Sequence, residues 1–382
     1  MRIAYKTEIK PTDEQCYQIN RTFGVCRYVY NLFIATNKER HAKGEKFLSA
    51  NEFDKWVNHF HSIDHPWVKE VSSKARKKAI VNAEMAYKRF FKKQAQFPRF
   101  KKKCKQNASF YAPKNNAGDW TIERHRVKIP TLGWVRLKEF GYLPVGATVT
   151  GGTVTQKADR YFVVVTIEQE ESMATRATGE GIGVDLGIKD FAIASRGEIF
   201  RNINKSSAIK RTEKRLKRAQ RALSRKYEHR KKGKPATERG SNIAKNVLRV
   251  QKLQMRLANM RSAYRAYIVS QLVKTKPSYI TVEHLNIKGM VRNRHLSHAI
   301  ANQGFYDFKL KLSNACRKFG IELREVSPFY PSSKICSCCG HKKVNLSLLE
   351  RVYTCESCGN VMDRDLNAAV NLMQAQEYMV LT

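Results

Sequence analysis

Residues 181–194 read GIGVDLGIKDFAIA, and this stretch decides how the C-terminal half of the chain folds. A short β-branched run, 182–185, ends in Asp185, a turn follows at 186–189, and residues 191–194 are apolar again. The pattern predicts a β-hairpin with the Asp185 carboxylate at its mouth. The glycines of this stretch do not form a dinucleotide-binding fingerprint, because no helical pattern follows them.

Two further acids stand in comparable places. Residues 279–283 read YITVE and predict a strand that ends in Glu283. Asp365, within DRDLNAA at 363–369, opens an apolar helical pattern whose Ala368, Ala369 and Leu372 are expected to face the sheet. Strands that end side by side bring their carboxylates together, where shared divalent cations offset the repulsion.

The sequence therefore predicts a pair of hard divalent cations, Mg²⁺, on Asp185, Glu283 and Asp365. Each acid taken alone is also compatible with a surface or helix-capping carboxylate, and capping is the role expected of Asp363. In a strongly basic chain, two metals on three carboxylates indicate cutting of a phosphodiester bond.

The charge of the chain restricts its class. The 382 residues include 72 Lys and Arg against 33 Asp and Glu, a net charge of +39. Such an excess fits a polyanion held along an extended surface, and a ribosomal-type or merely basic protein is the alternative. No apolar run is long enough to span a membrane, and the N-terminus lacks the apolar core of a signal peptide. We expect a cytoplasmic, nucleoid-associated protein with no membrane partner.

Five of the nine cysteines lie within a short segment, which indicates metal binding in a reducing compartment rather than a disulfide framework. Cys336/Cys339 and Cys355/Cys358 share the pattern C-x-x-C-G, and fifteen residues separate the two pairs. This spacing predicts a closed, structural site for one Zn²⁺, a zinc ribbon, in which glycine permits the knuckle turns. Cys338 does not fit the symmetry. The remaining thiols are expected to be core or spectator groups: Cys16, Cys26, Cys104 and Cys316.

The N-terminal half divides into strands around a helical insert. Residues 2–9 alternate like a half-buried strand, Thr12 and Gln15 form a capping box, and helical patterns continue to about residue 93. Residues 120–170 are β-rich, with a hairpin predicted at 157–160. The segment 171–180 has no periodicity and is expected to be a linker.

Two regions are strongly basic. Residues 88–105 carry nine basic residues and no acid, with aromatic residues between the charges, and residues 209–234 carry thirteen basic residues against two acids. Either could be a solvated charged face, but rings that stack and cations that bind phosphate favour nucleic acid. Apolar seams at 209–223 and 243–264 predict two antiparallel helices. The predicted nucleic-acid contacts are Lys77, Lys78, Arg99, Lys101, Lys102, Lys103, Arg211, Lys214, Arg218 and Arg221.

The order of the motifs resembles one protein family. The segments 183–195, 281–308, 327–340 and 353–372, with NRTFGVCRYVYNLF and FPRFKKK in the N-terminal half, are similar to the TnpB proteins of bacterial insertion sequences. These proteins are compact relatives of type V CRISPR effectors. The resemblance runs over nearly the whole chain and is strongest in 181–372.

The resemblance implies a multidomain α+β and α/β architecture. It comprises a RuvC nuclease domain of RNase H-like fold with an inserted zinc ribbon, and a wedge β-barrel with an inserted helical recognition domain. The expected ranges are 1–10 and 113–170 for the wedge, 11–112 for the recognition domain, 171–180 for the linker, 181–330 and 360–382 for the nuclease with its basic hairpin at 209–264, and 331–359 for the ribbon.

The resemblance also implies roles and partners. Asp185, Glu283 and Asp365 match the three catalytic acids, and the four C-x-x-C-G cysteines match the zinc ligands. The implied partners are a guide RNA from the transposon end and double-stranded DNA with a short target-adjacent motif. One departure stands in the helix before Glu283, where many relatives have an Asp and a His but this chain reads MRSAYRA at 260–266.

The sequence thus predicts an RNA-guided, magnesium-dependent DNA endonuclease. A strand-transferring transposase of the same RNase H-like fold would also need three acids. A non-catalytic RNA-binding regulator is the third class. Such a chain would be free to lose one of the three acids, and none is lost here.

Overall fold

The structure is a computed structural model that describes residues 2–103, 108–114, 116, 118–169, 176–231, 240–347 and 350–381. The chain divides into two compact units, residues 1–171 and 172–382. This division falls at the predicted linker, of which residues 171–175 lie outside the described residues. No described helix combines the length and apolarity needed to cross a bilayer.

The first unit begins with a strand, continues with a helical block and ends with further strands. Its elements are β1 (Arg2–Lys10), α1 (Asp13–Ala42), α2 (Ala50–Trp56), a π-helical turn (Val57–His61), α3 (Ser62–Asp64), a 3-10 turn (Pro66–Val68), α4 (Ser73–Phe91), β2 (Ser109–Pro113), β3 (Thr121–Ile122), β4 (Arg126–Ile129), β5 (Gly133–Leu137), β6 (Thr148–Lys157) and β7 (Arg160–Glu168).

These strands form one antiparallel sheet of order β2-β6-β7-β1-β5-β4-β3. The N-terminal strand β1 lies inside it, between β7 and β5. The predicted hairpin at 157–160 is confirmed, since Lys157 pairs with Arg160. Strand β2 pairs with β6 from Ser109 onward. That pairing is a long-range contact, which a short local pattern does not reveal.

The helical block packs helix on helix. The predicted capping box at the start of α1 is confirmed: Thr12 Oγ1 accepts from Gln15 N–H, and the Gln15 side chain accepts from Thr12 N–H. The buried faces of α1, α2 and α4 share a core in which Phe33 contacts Phe53 and Tyr87 edge to face. Apolar burial on this scale is the main stabilising contribution to the unit.

The second unit alternates strands and helices. Its elements are β8 (Ile182–Leu186), β9 (Asp190–Ala194), β10 (Ile199–Arg201), a 3-10 turn (Ile203–Lys205), α5 (Ser207–Lys231), α6 (Gly240–Lys274), β11 (Tyr279–Glu283), α7 (Ile287–Arg292), α8 (Ser297–Gln303), α9 (Phe305–Phe319), β12 (Glu322–Val326), β13 (Val352–Thr354), β14 (Val361–Asp363), α10 (Arg364–Gln374) and β15 (Met379–Val380).

The main sheet of this unit has the order β10-β9-β8-β11-β12-β15. The hairpin β8–β9 is antiparallel, as predicted, whereas β8, β11 and β12 run parallel. Long crossovers connect the parallel strands, because parallel neighbours cannot be joined by a tight turn. The carboxyl ends of β8, β11 and β12 therefore meet at one edge of the sheet.

The crossover between β10 and β11 contains the predicted pair of basic helices. Ala219 of α5 packs against Val250 and Leu253 of α6, with Leu216 and Leu223 beside them. The predicted break between the helices, at 233–241, falls largely on residues 232–239, which lie outside the described residues.

Candidate active site and cysteine cluster

Strand register brings Asp185 and Glu283 together. Ile182, Gly183 and Val184 of β8 pair with Ile280, Thr281 and Val282 of parallel β11. The next position on each strand is the acid. Neighbouring parallel strands lie about 4.8 Å apart and in-register side chains share a face, so the two carboxylates project side by side.

Helix α10 adds the third acid. It packs across β8 at Gly183, where a Cβ atom would overlap the carbonyl oxygen of Ala369. The absence of a side chain at 183 lets the helix lie directly on the strand, and Ala368, Ala369 and Leu372 are buried there as predicted. Asp365 in the first turn of α10 is consequently close enough to Asp185 to disfavour its ionisation.

The environment of these acids opposes their ionisation. Burial, followed by the neighbouring Glu283 and Asp365 carboxylates, raises the pKa of the Asp185 carboxyl to about 8. Burial raises the pKa of the Glu283 carboxyl to about 7. Asp185 and Glu283 are half-buried, so protein surrounds much of each side chain. Solvent still reaches the open side of the site. A cation would balance this unfavourable negative charge.

The donor set fits magnesium. All three groups offer carboxylate oxygen, which hard divalent cations prefer. These three carboxylates do not form a group whose ligand atoms all lie within 4.8 Å of one another. Among the described residues, the four cysteines form such a group. Acids that share a pair of cations need not converge on one point, because the cations of two-metal sites stand about 4 Å apart.

Asp363 has a different place. It is the N-cap of α10, and its Oδ1 accepts hydrogen bonds from the N–H groups of Asp365 (2.9 Å) and Leu366 (3.0 Å). The predicted capping role is confirmed. The Asp365 carboxylate itself is 3.8 Å from the Arg351 guanidinium, a cation that the sequence did not reveal.

Polar side chains outside the predicted set hold the turn that follows Asp185. Gln303, which is buried, directs its Nε2 toward the carbonyl oxygens of Gly187 (3.3 Å) and Ile188 (3.4 Å). Asn202 Nδ2 donates to the same Ile188 oxygen at 2.8 Å. Nothing in the local sequence marks these residues, because their partners are backbone atoms far away along the chain.

Helix α6, which departs from the family pattern at 260–266, has two arginines that form ion pairs inside this unit. Arg261 pairs with Glu213 at 2.7 Å, and Arg265 pairs with Asp307 at 2.7 Å. Both guanidinium groups are largely buried in α6. They tie α6 to α5 and α9, so they are structural cations.

The cysteine cluster has the geometry of a tetrahedral thiolate site. Cys336, Cys339, Cys355 and Cys358 each place a sulfur within 4.8 Å of the others. The Cys336–Cys358 and Cys339–Cys355 sulfurs are both 3.6 Å apart. A Zn–S bond of about 2.3 Å implies tetrahedral edges of about 3.8 Å, which matches these distances. The exposed Cys338 is not in the cluster, as predicted.

The two knuckles are built alike. Gly340 N–H donates to Cys336 O at 2.9 Å, and Gly359 N–H donates to Cys355 O at 3.0 Å. Both glycines have positive φ, at 75° and 70°, the conformation that glycine adopts without strain. Burial opposes ionisation of the Cys336 thiol, but the N–H groups of Cys339 and Cys338 outweigh it and lower its pKa to about 6. The Cys336 thiolate, the form that binds zinc, is thus favoured. At Cys358 the Asn360 N–H acts in the same direction, but hydrogen bonds with the neighbouring thiols, Cys339 first, outweigh it and raise the pKa to about 12.

Two buried asparagines of α10 fix this ribbon to the helix that carries Asp365. Asn371 Nδ2 donates to the carbonyl oxygens of Ser332 and Ile335, both at 2.7 Å. Asn367 Nδ2 also donates to Ile335 O at 2.7 Å, and its Oδ1 accepts from Ser337 N–H at 3.0 Å. Hydrogen bonds from α10 therefore connect the cysteine cluster to the helix that carries the third acid.

The other described cysteines behave as the sequence predicted. Burial raises the pKa values of Cys26 and Cys316 to about 12, so both thiols are inert. Cys16 is half-buried. Cys104 lies outside the described residues.

Most of the predicted nucleic-acid contacts are surface cations. Lys101 and Lys78 are the exceptions. The Lys101 ammonium lies 3.9 Å from the centre of the Tyr30 ring, and burial lowers its pKa. Lys78 is half-buried near the Tyr111 ring, at 5.7 Å. The exposed members of the set are Lys77, Arg99, Lys102, Lys103, Arg211, Lys214, Arg218 and Arg221.

Family models match three parts of the chain. A model described as a helix-turn-helix domain of OrfB from IS605 matches residues 1–46, although those residues form β1 and the single helix α1 here. A model described as a probable transposase, OrfB of IS605, matches 163–294. A model described as the TNB domain of Cas12f1-like proteins matches 305–372, which includes the cysteine cluster.

Two of the relatives match over nearly the full length of the chain. The chain is 28% identical to "Putative RNA-guided DNA endonuclease InsQ" of Escherichia coli (strain K12), over 97% of this chain and 92% of that protein. It is 30% identical to a Streptomyces pristinaespiralis protein of the same description, over 97% of this chain and 89% of that protein. Its fold is similar to a protein in the cryo-EM structure of the Cas12f1–sgRNA–target DNA complex, with TM-score 0.57, 14% identity and 99% of each chain covered. The chain belongs to the TnpB family of insertion-sequence proteins, as its motifs predicted.

Proposed function

We propose that this protein is an RNA-guided, magnesium-dependent endonuclease that cuts double-stranded DNA beside a short target-adjacent motif. The observation that carries the proposal is the meeting of Asp185, Glu283 and Asp365 at one edge of the sheet. Their carboxyls are crowded, partly desolvated and open to solvent, as a cation-binding catalytic site requires. The descriptions of the full-length relatives support the same activity.

Each acid has a distinct place in the proposed centre. Asp185 and Glu283 stand on rigid neighbouring strands, and Asp365 stands on the helix packed across them. Two Mg²⁺ ions held there would supply an activated water and stabilise the leaving 3′ oxygen. The chain's own contribution is to fix the spacing of the three carboxylates and to keep the Asp185 turn in place through Gln303 and Asn202.

The domains follow from this assignment. We propose that the β8–β12 sheet with α10 is the RuvC nuclease domain, that β1–β7 form the wedge, and that α1–α4 form the recognition domain. The four-cysteine element would bind one structural Zn²⁺. The exposed cations of α4, of residues 99–103 and of α5 would hold a guide RNA from the transposon end and the target DNA by charge and shape. A nucleoid location in the bacterial cytoplasm accompanies a DNA substrate.

A strand-transferring transposase is the second candidate, and the description of the family model that matches residues 163–294 favours it. Such an enzyme also uses three metal-binding acids. It would recognise fixed transposon ends, however, and would need no guide. The two functions therefore differ in what determines the cutting site.

One experiment separates them. The protein is expressed beside its own transposon end, and the RNA that copurifies is sequenced. That RNA is then supplied with a changed 3′ guide segment, together with a library of DNA targets. We expect cutting to move to the new target beside an unchanged short motif, and to stop with Asp185→Asn. Cutting that stays at transposon ends whatever the RNA would support the transposase and overturn the proposal.

A further inference from the structure

Three exposed rings surround one buried ring on the helical block of the first unit. Phe47, Phe91 and Phe97 are 41%, 62% and 44% exposed. Each contacts buried Tyr87, with ring centroids 5.3, 6.0 and 5.6 Å away respectively. The Tyr87 hydroxyl donates to Ile34 O on α1 at 3.1 Å, which holds the Tyr87 ring in place beneath the three phenylalanines. We call Phe47, Phe91 and Phe97 the aromatic surface.

The surroundings of the aromatic surface are positive. Glu45 and Glu84, the acids closest to it along the chain, are already paired with Arg40 (2.8 Å) and Lys88 (3.1 Å). Among the described residues no carboxylate forms an ion pair with the lysines that follow Phe91. The exposed cations beside these rings in the chain are Lys46, Lys92, Lys93 and Arg99.

We propose that the aromatic surface binds an unpaired stretch of RNA, with bases stacked on its rings and phosphates held by the flanking cations. Aromatic faces accept any base, and a cationic border follows the backbone, which is the combination that single-stranded nucleic acid requires. RNA is bound chiefly through unpaired bases that are splayed onto such rings. The inference rests on the proposed function only in taking a guide RNA as the resident partner.

Two features favour RNA over the main alternatives, a second copy of this chain and a DNA target. Two copies of this chain would bring the same cationic border together, so the charges oppose a homodimer through this surface. A guide RNA would stay bound between cutting events, unlike a DNA target, so it is the occupant that would keep three adjacent exposed phenylalanines covered. A resident RNA provides that cover and neutralises the lysines.

The test measures binding of the full-length protein to labelled 20-nucleotide oligouridylate in EDTA, where no cleavage occurs. Phe91→Leu keeps an apolar side chain but removes the stacking face, and Phe91→Trp keeps that face. Phe60→Leu is the matched control, because Phe60 is 65% exposed on the same helical block but outside the aromatic surface. Double-stranded RNA and oligothymidylate of equal length are the comparison probes.

We expect Phe91→Leu to raise the Kd for oligouridylate about tenfold, since one stacked base contributes roughly 1–3 kcal/mol. Phe91→Trp and Phe60→Leu should leave the Kd for oligouridylate unchanged. Phe91→Leu should leave the Kd for double-stranded RNA unchanged. Changing Lys92 and Lys93 to Gln should instead flatten the salt dependence. Ultraviolet crosslinking of oligouridylate should map to Phe91 or Phe97.

Three outcomes would overturn the proposal. The first is an unchanged oligouridylate Kd in Phe91→Leu without a crosslink at these rings. The second is a defect confined to oligothymidylate, which would assign the surface to DNA. The third is a wild-type dimer in sedimentation that Phe47→Leu/Phe91→Leu converts to monomer. Since no arm requires cleavage, the proposed nuclease activity can fail without affecting the result.

Discussion

Gly183 on β8 lies directly against Ala369 on α10, with no room for a side chain between strand and helix. A Cβ at this position would also crowd the N–H of Met373, so two successive turns of the helix rest on one residue of the strand. This contact sets how closely α10 approaches the sheet. It thereby sets the separation of Asp185, two residues after Gly183, from Asp365, four residues before Ala369.

Gly183→Ala should both destabilise the protein and stop cleavage. The obstructing atoms are backbone, which cannot rotate away, so we expect a loss of about 1–3 kcal/mol in the free energy of unfolding. Gly24→Ala is the matched control: Gly24 is in α1 and a Cβ there meets nothing within 4 Å, so that change should be neutral or stabilising by about 0.5–1 kcal/mol. Denaturant unfolding and a cleavage assay check both. Wild-type activity in Gly183→Ala would show that α10 tolerates displacement.

The raised pKa values of Asp185 and Glu283 predict how pH affects stability. In the unfolded chain these carboxyls ionise near pH 4, whereas in the folded chain their pKa values are about 8 and about 7. The folded state holds more protons between these limits, so in EDTA the free energy of unfolding should fall as pH rises from about 4 to about 8.

Magnesium should reverse this trend, because it binds the ionised carboxylates. At 100 times its Kd it should stabilise the protein by about 2.7 kcal/mol at alkaline pH, and by much less at pH 6. Asp185→Asn should reduce both the pH-dependent fall in the free energy of unfolding in EDTA and the increase in that free energy with magnesium. Thermal unfolding across pH measures these effects. Equal magnesium stabilisation of wild type and Asp185→Asn would argue against a cation at this site.

Removal of one zinc ligand should cost both metal and fold. Metal analysis should find one zinc per chain in the wild type and none in Cys355→Ser, whose ribbon should become sensitive to protease, since zinc binding is part of its folding energy. Cys338→Ser is the matched control, because Cys338 is exposed and outside the cluster. Retained zinc in Cys355→Ser with loss in Cys338→Ser would reassign the ligands.

Asp363 should be replaceable by Asn but not by Ala. Asn accepts the same hydrogen bonds from the N–H groups of Asp365 and Leu366, whereas Ala leaves both without a cap, at a cost of about 1 kcal/mol. Cleavage should persist in Asp363→Asn, and unfolding should show the loss in Asp363→Ala. A complete loss of cleavage in Asp363→Asn would mean that the carboxylate charge itself is needed.

Local patterns in the sequence were sufficient for several structural features. The ends of β8 and β11, the start of α10 and the four clustered cysteines all depend on short-range signals: β-branched runs, a helix cap and fixed spacing. Features that depend on distant contacts were not predicted. Examples are the pairing of β2 with β6, the Gln303 hydrogen bonds to the turn after Asp185, and the burial of Lys101 over Tyr30. In each case the partner lies far away in the chain.

The asparagine links between the ribbon and α10 have a consequence for the order of assembly. During translation, Asp185 and Glu283 are made before the four clustered cysteines, and Asp365 is made after them. Because Asn367 and Asn371 donate to backbone carbonyls beside the first knuckle, closing that knuckle and docking α10, which carries the third carboxylate, support each other. In the proposed nuclease, a metal bound by the four cysteines would therefore help to complete a catalytic centre to which it contributes no ligand.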